Sequence, residues 1–285
     1  VKENEPLANH TTMKIGGPAT VLIEPNSILN VIKTIKIAKE MNIPFRVIGR
    51  GSNLLVSDKG FDGVIIKLGK GMDQIDFKGT EIHVGSGHSI VTLAVIAGKN
   101  GLTGLEFAAG IPGSIGGAVY MNAGAHGSDI SKILKKVHVL FLDGETKWLS
   151  VEEMQYSYRT SVLQKIKPGI VLECVLQLAK GEPEAISTII QANKNYRKDT
   201  QPYNFPCAGS VFRNPLPQYA GKLVEELGLK GFSIGGAKVS DLHGNFIVNA
   251  NKATAQDVLN LIAYIQKKVK ENYGVELQTE VEMLL

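Results

Sequence analysis

The sequence predicts an α+β fold, and three observations carry that expectation. Apolar residues recur at helical spacing over 28–41, 89–100 and 255–273. Residues 45–67 are instead a series of short apolar runs broken by Gly49, Gly51, Gly60 and Gly63, which reads as strands joined by tight loops. The segment from about 200 onward repeats this mixture as a second unit, closing on a strictly alternating run at 275–284.

Each element has a local reason. In 28–41, Ile28, Ile32, Ile35 and Ala38 share one helical face, and Ser27 stands where an N-cap belongs. Residues 81–84 continue as a strand, and Gly101 fits the C-terminal cap of the helix at 89–100. Two strand-like runs flank Asp143-Gly144, a hairpin signal. Residues 170–179 read as a buried strand carrying Cys174. A helix at 183–197 leads into the Pro-bearing connector 201–206, where a domain boundary is expected. Beyond it, 207–213 and 246–248 read as strands, 220–228 as a short helix, and 255–273 as a long helix capped by Thr254. In 275–284, Val275, Leu277, Thr279, Val281 and Met283 face one way and Glu276, Gln278, Glu280 and Glu282 the other.

Composition narrows the function classes. The 285 residues suffice for a sizeable core, and 44% hydrophobic with 20% charged residues reads as globular. A net charge of +4 is too small and too scattered for a nucleic-acid binder, and it suits a small anionic substrate. No apolar run approaches the ~18 residues that span a bilayer. The N-terminus lacks a basic-then-apolar signal pattern, so a cytoplasmic location without membrane contact is expected. Cys174 and Cys207 are too few for a disulfide framework. The histidines show no pair at metal-ligand spacing, so no metal is expected.

Two loops suit a diphosphate. They are Gly49-Arg50-Gly51-Ser52-Asn53 and Gly110-Ile111-Pro112-Gly113-Ser114-Ile115-Gly116-Gly117. Glycine lets backbone approach a ligand, and successive N–H groups make an anion-binding concavity without a basic side chain. Ordinary turns would read the same way. Neither loop matches the Gly-x-Gly-x-x-Gly or P-loop pattern, which disfavours those two sites.

Together with Val84–His88 (VGSGH), residues 49–58 (GRGSNLLVSD) and 110–127 (GIPGSIGGAVYMNAGAHG) resemble the FAD-binding domain of the p-cresol methylhydroxylase type. Three further segments narrow the resemblance to the UDP-N-acetylenolpyruvoylglucosamine reductase family: 156–161 (YSYRTS), 208–215 (AGSVFRNP) and 277–283 (LQTEVEM). The resemblance implies two FAD-binding subdomains, at 1–65 and 66–180, a connecting helix at 181–199, and an α+β substrate domain at 200–285. It implies non-covalent FAD, held by Arg50, Gly51, Ser52, Asn53, Leu54, Pro112, Gly113, Ser114, Gly116, Gly117, Asn122 and Gly124. His88 and His126 are therefore expected to carry no flavin. The substrate, UDP-N-acetylglucosamine enolpyruvate, would be met by Tyr158, Asn214, Tyr219 and Lys222.

The family's active-site residues fall on Arg159, Ser210 and Glu280. Taken alone each has a plain alternative: a structural arginine, a turn serine, a solvated carboxylate. The family's chemistry explains their types. NADPH reduces FAD, hydride passes to the vinyl CH2 carbon, and enolate-like charge develops on the neighbouring carbon and its carboxylate. A cation and a hydrogen-bond donor aimed at that charge lower the barrier. Arg159 offers a planar fork, and a protonated Glu280 would be the donor. Ser210 would supply the final proton. No insertion lies between Thr160 and Leu178, so the chain resembles the shorter subgroup of the family. A monomer is favoured, and Cys207 is expected to be a small packing residue. The competing readings are a flavin-dependent sugar or alcohol oxidase and a non-catalytic flavin module.

Overall fold

The computed structural model describes residues 1–285, the side chain of Lys165 excepted, and divides into two compact units. The first comprises residues 1, 22–50 and 64–197; the second comprises 2–21, 51–63 and 198–285. These units interleave, whereas the expected cuts at 65, 180 and 199 are contiguous. The reason is hydrogen bonding at long range. Residues 51–63 contain the strand Leu54–Val56, which pairs in parallel with Glu282–Leu284. Thr12 Oγ1 likewise donates to the Cys207 carbonyl at 2.7 Å.

In the first unit, α1 (Ile28–Glu40) starts where Ser27 Oγ accepts the Asn30 N–H. Its buried stripe is Val31, Ile35 and Ala38; Ile28 and Ile32 are only partly covered, so the inward face lies one residue off the expected one. The strand Phe45–Ile48 follows and pairs in parallel with the later part of Phe61–Lys67. A five-stranded antiparallel sheet has the order Thr146–Ser150, Leu134–Phe141, Gly169–Gln177, Glu81–Gly85, Ile75–Lys78. The expected hairpin is its edge, turning at Gly144 with φ 94°. Val137, Val139, Cys174, Leu176, Ile82 and Val84 share a core with α2 (Ile90–Lys99) and α3 (Ile115–Met121). Each large aliphatic side chain buried there contributes about 1.5–3 kcal/mol. Burial pushes the Cys174 thiol far up, so it stays protonated and inert. After α4 (Val162–Lys165), α5 (Pro183–Thr200) lies close against α2 at Gly98, where a Cβ would stand 2.8 Å from Ile186 Cγ2.

The second unit is built on a four-stranded antiparallel sheet, ordered Cys207–Ser210, Phe246–Asn249, Ala237–Val239, Ser233–Ile234. The helices α6 (Ala220–Glu226) and α7 (Ala255–Tyr273) complete its core with Leu223, Val224, Val258, Leu261, Ile262 and Ile265. The strand expected at 207–213 stops at Ser210. The run 275–284 is strand only at Glu282–Leu284, although Leu277, Val281 and Leu284 are buried. It changes partners: Gln278 accepts from the Arg213 N–H, Thr279 bridges Phe212, and past the bend at Val281 the chain pairs with Leu54–Val56 instead. Leu277 and Val281 keep the expected inward face, but past the switch Leu284 is buried and Met283 only partly, and no continuous ladder forms.

The start of α7 is heavily capped. Thr254 and Asp257 form a reciprocal capping box, and the Asp58 carboxylate accepts the Ala255 and Gln256 N–H groups at 2.8 and 3.2 Å. Thr254→Ala should therefore lower stability by about 1 kcal/mol. Urea denaturation followed by circular dichroism measures this, and an unchanged midpoint would show that Asp58 alone holds the helix start.

Candidate active site

In the first unit Gly49 packs against the second glycine-rich segment, which in turn packs against residues 86–88. The Gly49 face is so close to the second loop that a Cβ there would lie 2.3 Å from Ser114 Oγ. Ser114 is buried and caps α3 by accepting the Gly117 N–H. The Gly116 N–H donates to the Ser86 carbonyl at 2.8 Å, the Ile115 N–H to the His88 carbonyl at 2.9 Å, and the Ile90 N–H to the Gly113 carbonyl at 3.3 Å. A Cβ on Gly116 would stand 2.8 Å from Ser86 Cβ. Ser114 and Gly116 therefore shape the loop from within, while Pro112 and Gly117 keep exposed faces. Two buried polar atoms beside this junction, Ser86 Oγ and His88 Nε2, have no hydrogen-bond partner. Side-chain-free backbone next to unsatisfied buried polar atoms fits a flavin diphosphate.

Arg159 stands on a turn tied to the far end of α3. Ser157 and Thr160 exchange N–H···O bonds of 3.1 Å in both directions, which leaves Arg159 at φ 55°. The Tyr156 hydroxyl donates to the Val119 carbonyl at 2.8 Å, and burial raises its pKa well above the ordinary phenol value, keeping it a donor. Ser161 Oγ donates to the Tyr120 carbonyl at 2.6 Å, and Gln164 Nε2 reaches the carbonyls of both Tyr120 and Arg159. Asn122 closes α3 at φ 46°, and its amide donates to the Ser157 carbonyl and accepts the Ser131 N–H. The Asn122 side chain is thus engaged in joining three chain segments. The Arg159 guanidinium donates to the Gly124 carbonyl at 2.7 Å and lies 5.0 Å from the centre of the exposed Tyr158 ring.

The second unit places Ser210 and Glu280 on adjoining segments. Strand Cys207–Ser210 pairs with Phe246–Asn249, but the register slips between Cys207 and Ser210, and Gly209 sits at φ 75°. This bulge leaves Ser210 half-exposed between the buried Ala208 and Val211. Buried Asn245 then grips Phe212 from both sides, accepting its N–H and donating to its carbonyl. Val211, next to Ser210, accepts the Glu280 N–H at 2.7 Å. Gly51 has φ 64° and a Cβ there would fall 2.1 Å from the His10 carbonyl oxygen, so its backbone is packed tightly. Asn53 turns its side chain toward the Glu280 main chain, and Leu54 stands opposite Glu282 in the parallel pair. Arg50 is exposed and Ser52 half-buried.

The residues expected to meet the nucleotide stand near α6. Asn214 Oδ1 accepts the Ala220 N–H at 3.1 Å and so caps that helix. Tyr219 and Lys222 are exposed, and Lys222 Nζ lies 3.8 Å from Glu226. Cys207 packs against the second unit's core. Sequence reasoning missed Gln164, Asn245 and Arg197. Arg197 lies against Gly110, where a Cβ would meet its Cδ at 2.3 Å, and its Nε is buried without a partner. None of the three sits in a motif, and only the folded chain brings them to the loops they hold. Among the described residues there is no cluster of side chains fit to hold a metal, and no helix is long and apolar enough to cross a membrane.

Comparison with known proteins agrees with this layout. Residues 19–150 match the model of an FAD binding domain, and residues 201–284 match that of the UDP-N-acetylenolpyruvoylglucosamine reductase C-terminal domain. The enzyme of that name from Bacillus pumilus is 64% identical over 285 residues, covering 100% of this chain and 94% of that protein. The Bacillus subtilis enzyme is 60% identical over 284 residues, with the same coverage. The crystal structure of UDP-N-acetylenolpyruvylglucosamine reductase from Thermus caldophilus superposes with a TM-score of 0.84 at 37% identity, covering 99% of this chain and 98% of that one. An FAD-binding domain, a reductase C-terminal domain and whole-length similarity at this level leave no room for the oxidase or the non-catalytic module: the chain is an FAD-dependent oxidoreductase and belongs to the UDP-N-acetylenolpyruvoylglucosamine reductase family.

Proposed function

We propose that the chain reduces UDP-N-acetylglucosamine enolpyruvate to UDP-N-acetylmuramate in peptidoglycan precursor synthesis, with NADPH as the reductant. The observation that carries the reading is the pairing of Ser210, lifted on the Gly209 bulge, with Glu280, held through Val211. An oxidase has no use for such a pair. In this reading residues 1–65 and 66–180 serve FAD, 181–199 connect, and 200–285 serve the substrate. The enzyme works as a cytoplasmic monomer on small anionic molecules, without nucleic acid or membrane.

When bound, FAD would supply the hydride, with NADPH as its reductant. The loops at 49–54 and 110–117, with the Gly124 segment, would hold it, the first of them through main-chain N–H groups. Arg159 faces the enolpyruvyl carboxylate, where its fork meets both oxygens and its charge opposes the negative charge that grows there. The bond to the Gly124 carbonyl fixes one edge of the guanidinium. Glu280 in its acid form donates to the same carboxylate. Ser210 delivers a proton to the ether-bearing carbon. Asn214 and Lys222 meet the nucleotide, and Tyr158 and Tyr219 line the substrate site.

Three outcomes are expected. Acid precipitation should release the yellow colour into the supernatant; colour kept in the pellet would reject non-covalent binding. Arg159→Lys keeps the charge but not the fork, so turnover should fall by roughly 10–100-fold, the worth of a charge-assisted hydrogen bond, at normal FAD content. Wild-type kinetics in that variant would remove Arg159 from the carboxylate site. Ser210→Ala should leave flavin reduction by NADPH near normal and slow reoxidation by substrate by ~10²–10⁴-fold. Stopped-flow measurement of the two half-reactions decides the point, since an unchanged second half would show that Ser210 is not the acid.

A further inference from the structure

The stretch that carries Glu280 forms no continuous strand. It lies between the isolated bridge of Thr279 with Phe212 and the strand Glu282–Leu284, and the chain bends at Val281. A peptide ladder therefore does not run through Glu280. Its N–H is taken by the Val211 carbonyl at 2.7 Å. Its carbonyl accepts Asn53 Nδ2 at 3.0 Å, across 227 positions of sequence. Asn53 also accepts the Glu282 N–H on its own carbonyl at 3.0 Å. One residue of the Gly49–Asn53 loop thus grips the chain on both sides of Val281, and its carboxamide stands where a neighbouring strand's N–H would be.

We infer that Asn53 is a positioning residue for Glu280, and that its side chain serves the Glu280 main chain rather than the cofactor. The inference rests on the reading above in which Glu280 touches substrate. The chemistry calls for such a device. A carboxyl that must donate to a substrate carboxylate has to be placed within a few tenths of an ångström, and a main chain at a bend has few internal restraints. A carboxamide hydrogen bond at that carbonyl removes much of the freedom for the carboxyl to swing with the backbone. It also links the Gly49–Asn53 loop to Glu280 by a single side chain.

Asn53→Asp tests this with almost no change in volume, because it replaces the donor with an acceptor facing the Glu280 carbonyl. Asn53→Ala serves as the second variant if the first folds poorly. Four measurements on the FAD-loaded enzyme are needed: FAD retention, flavin reduction by NADPH, flavin reoxidation by substrate, and hydrogen–deuterium exchange over residues 278–285. We expect the first two to match wild type, reoxidation to slow by about 10-fold, as for loss of one well-placed hydrogen bond, and exchange to speed up in that segment. In the Glu280→Gln background the same substitution should add little, because both changes act on one group. Loss of FAD with unchanged exchange would make Asn53 a cofactor ligand and overturn the inference. So would fully additive losses in the double variant, which would mean a general structural role. If Glu280→Gln alone reoxidises as fast as wild type, the catalytic reading of Glu280 fails and the positioning role falls with it. If Glu280→Gln is slow and Asn53→Asp is not, only the inference fails.

Discussion

The second unit depends on the hydrogen bonds of one short piece of chain, residues 51–58. The Gly51 carbonyl accepts the Thr12 N–H, Asn53 holds residues 280 and 282, Leu54–Val56 pairs with Glu282–Leu284, and Asp58 caps α7. All these partners are distant in sequence, 197 positions for the Asp58 contact and 227 for the Asn53 contact. Closing such loops costs entropy before any contact repays it, so the pairings become worthwhile only as a set. The result is a rigid rail made from a segment far from the rest of its unit in sequence. Ser210 and Glu280 hang from it, the first through Thr12 and Cys207, the second through Asn53.

The first unit solves a related problem with a helix of only two turns. Isolated, α3 would not form. It persists because both of its ends are tied down. Residues 86 and 88 take the N–H groups at its start, Ser114 caps it, and Tyr156, Ser161, Gln164 and Asn122 bind its last turn to the Arg159 turn. The glycine loop and the arginine turn are therefore opposite ends of one small frame. Side chains that the resemblance assigned to the cofactor, such as Ser114 and Asn122, spend their polar atoms holding that frame together.

Much of this was legible in the sequence, and the residues show why. Ser27, Thr254 and Gly101 announced helix ends correctly because capping is local chemistry. The paired glycine loops and the hairpin at Asp143-Gly144 were legible for the same reason. The strand at 275–284 was over-extended because alternation reports which side is buried and not which neighbour supplies the bonds. The interleaved units were invisible, since nothing in 51–58 names Glu282 or Ala255 as a partner. Arg159, Ser210 and Glu280 were assigned through the resemblance. Patterning alone left each with a plain alternative, and the turn, the bulge and the bend on which they stand form only in the folded chain.

Those three irregularities have a common logic. Arg159 sits at φ 55°, on a turn position usually given to glycine or asparagine, and Ser210 follows Gly209 at φ 75°. Left-handed backbone costs an ordinary residue about 1–2 kcal/mol. The chain meets that cost at Arg159 with the doubled Ser157–Thr160 bonds and the Gln164 clamp, and avoids it at 209 by using glycine. Glu280 sits beside a bend with no strand ladder through it. Regular helix or strand would commit each side chain to the face its period dictates, and in these strands that face alternates with the core. Breaking the period releases the side chain from this choice, and a few side-chain bonds from distant residues then have to supply the rigidity that the ladder no longer provides. Asn53, Gln164 and Asn245, each binding main chain through a carboxamide, do that at the three places where the ladder is given up.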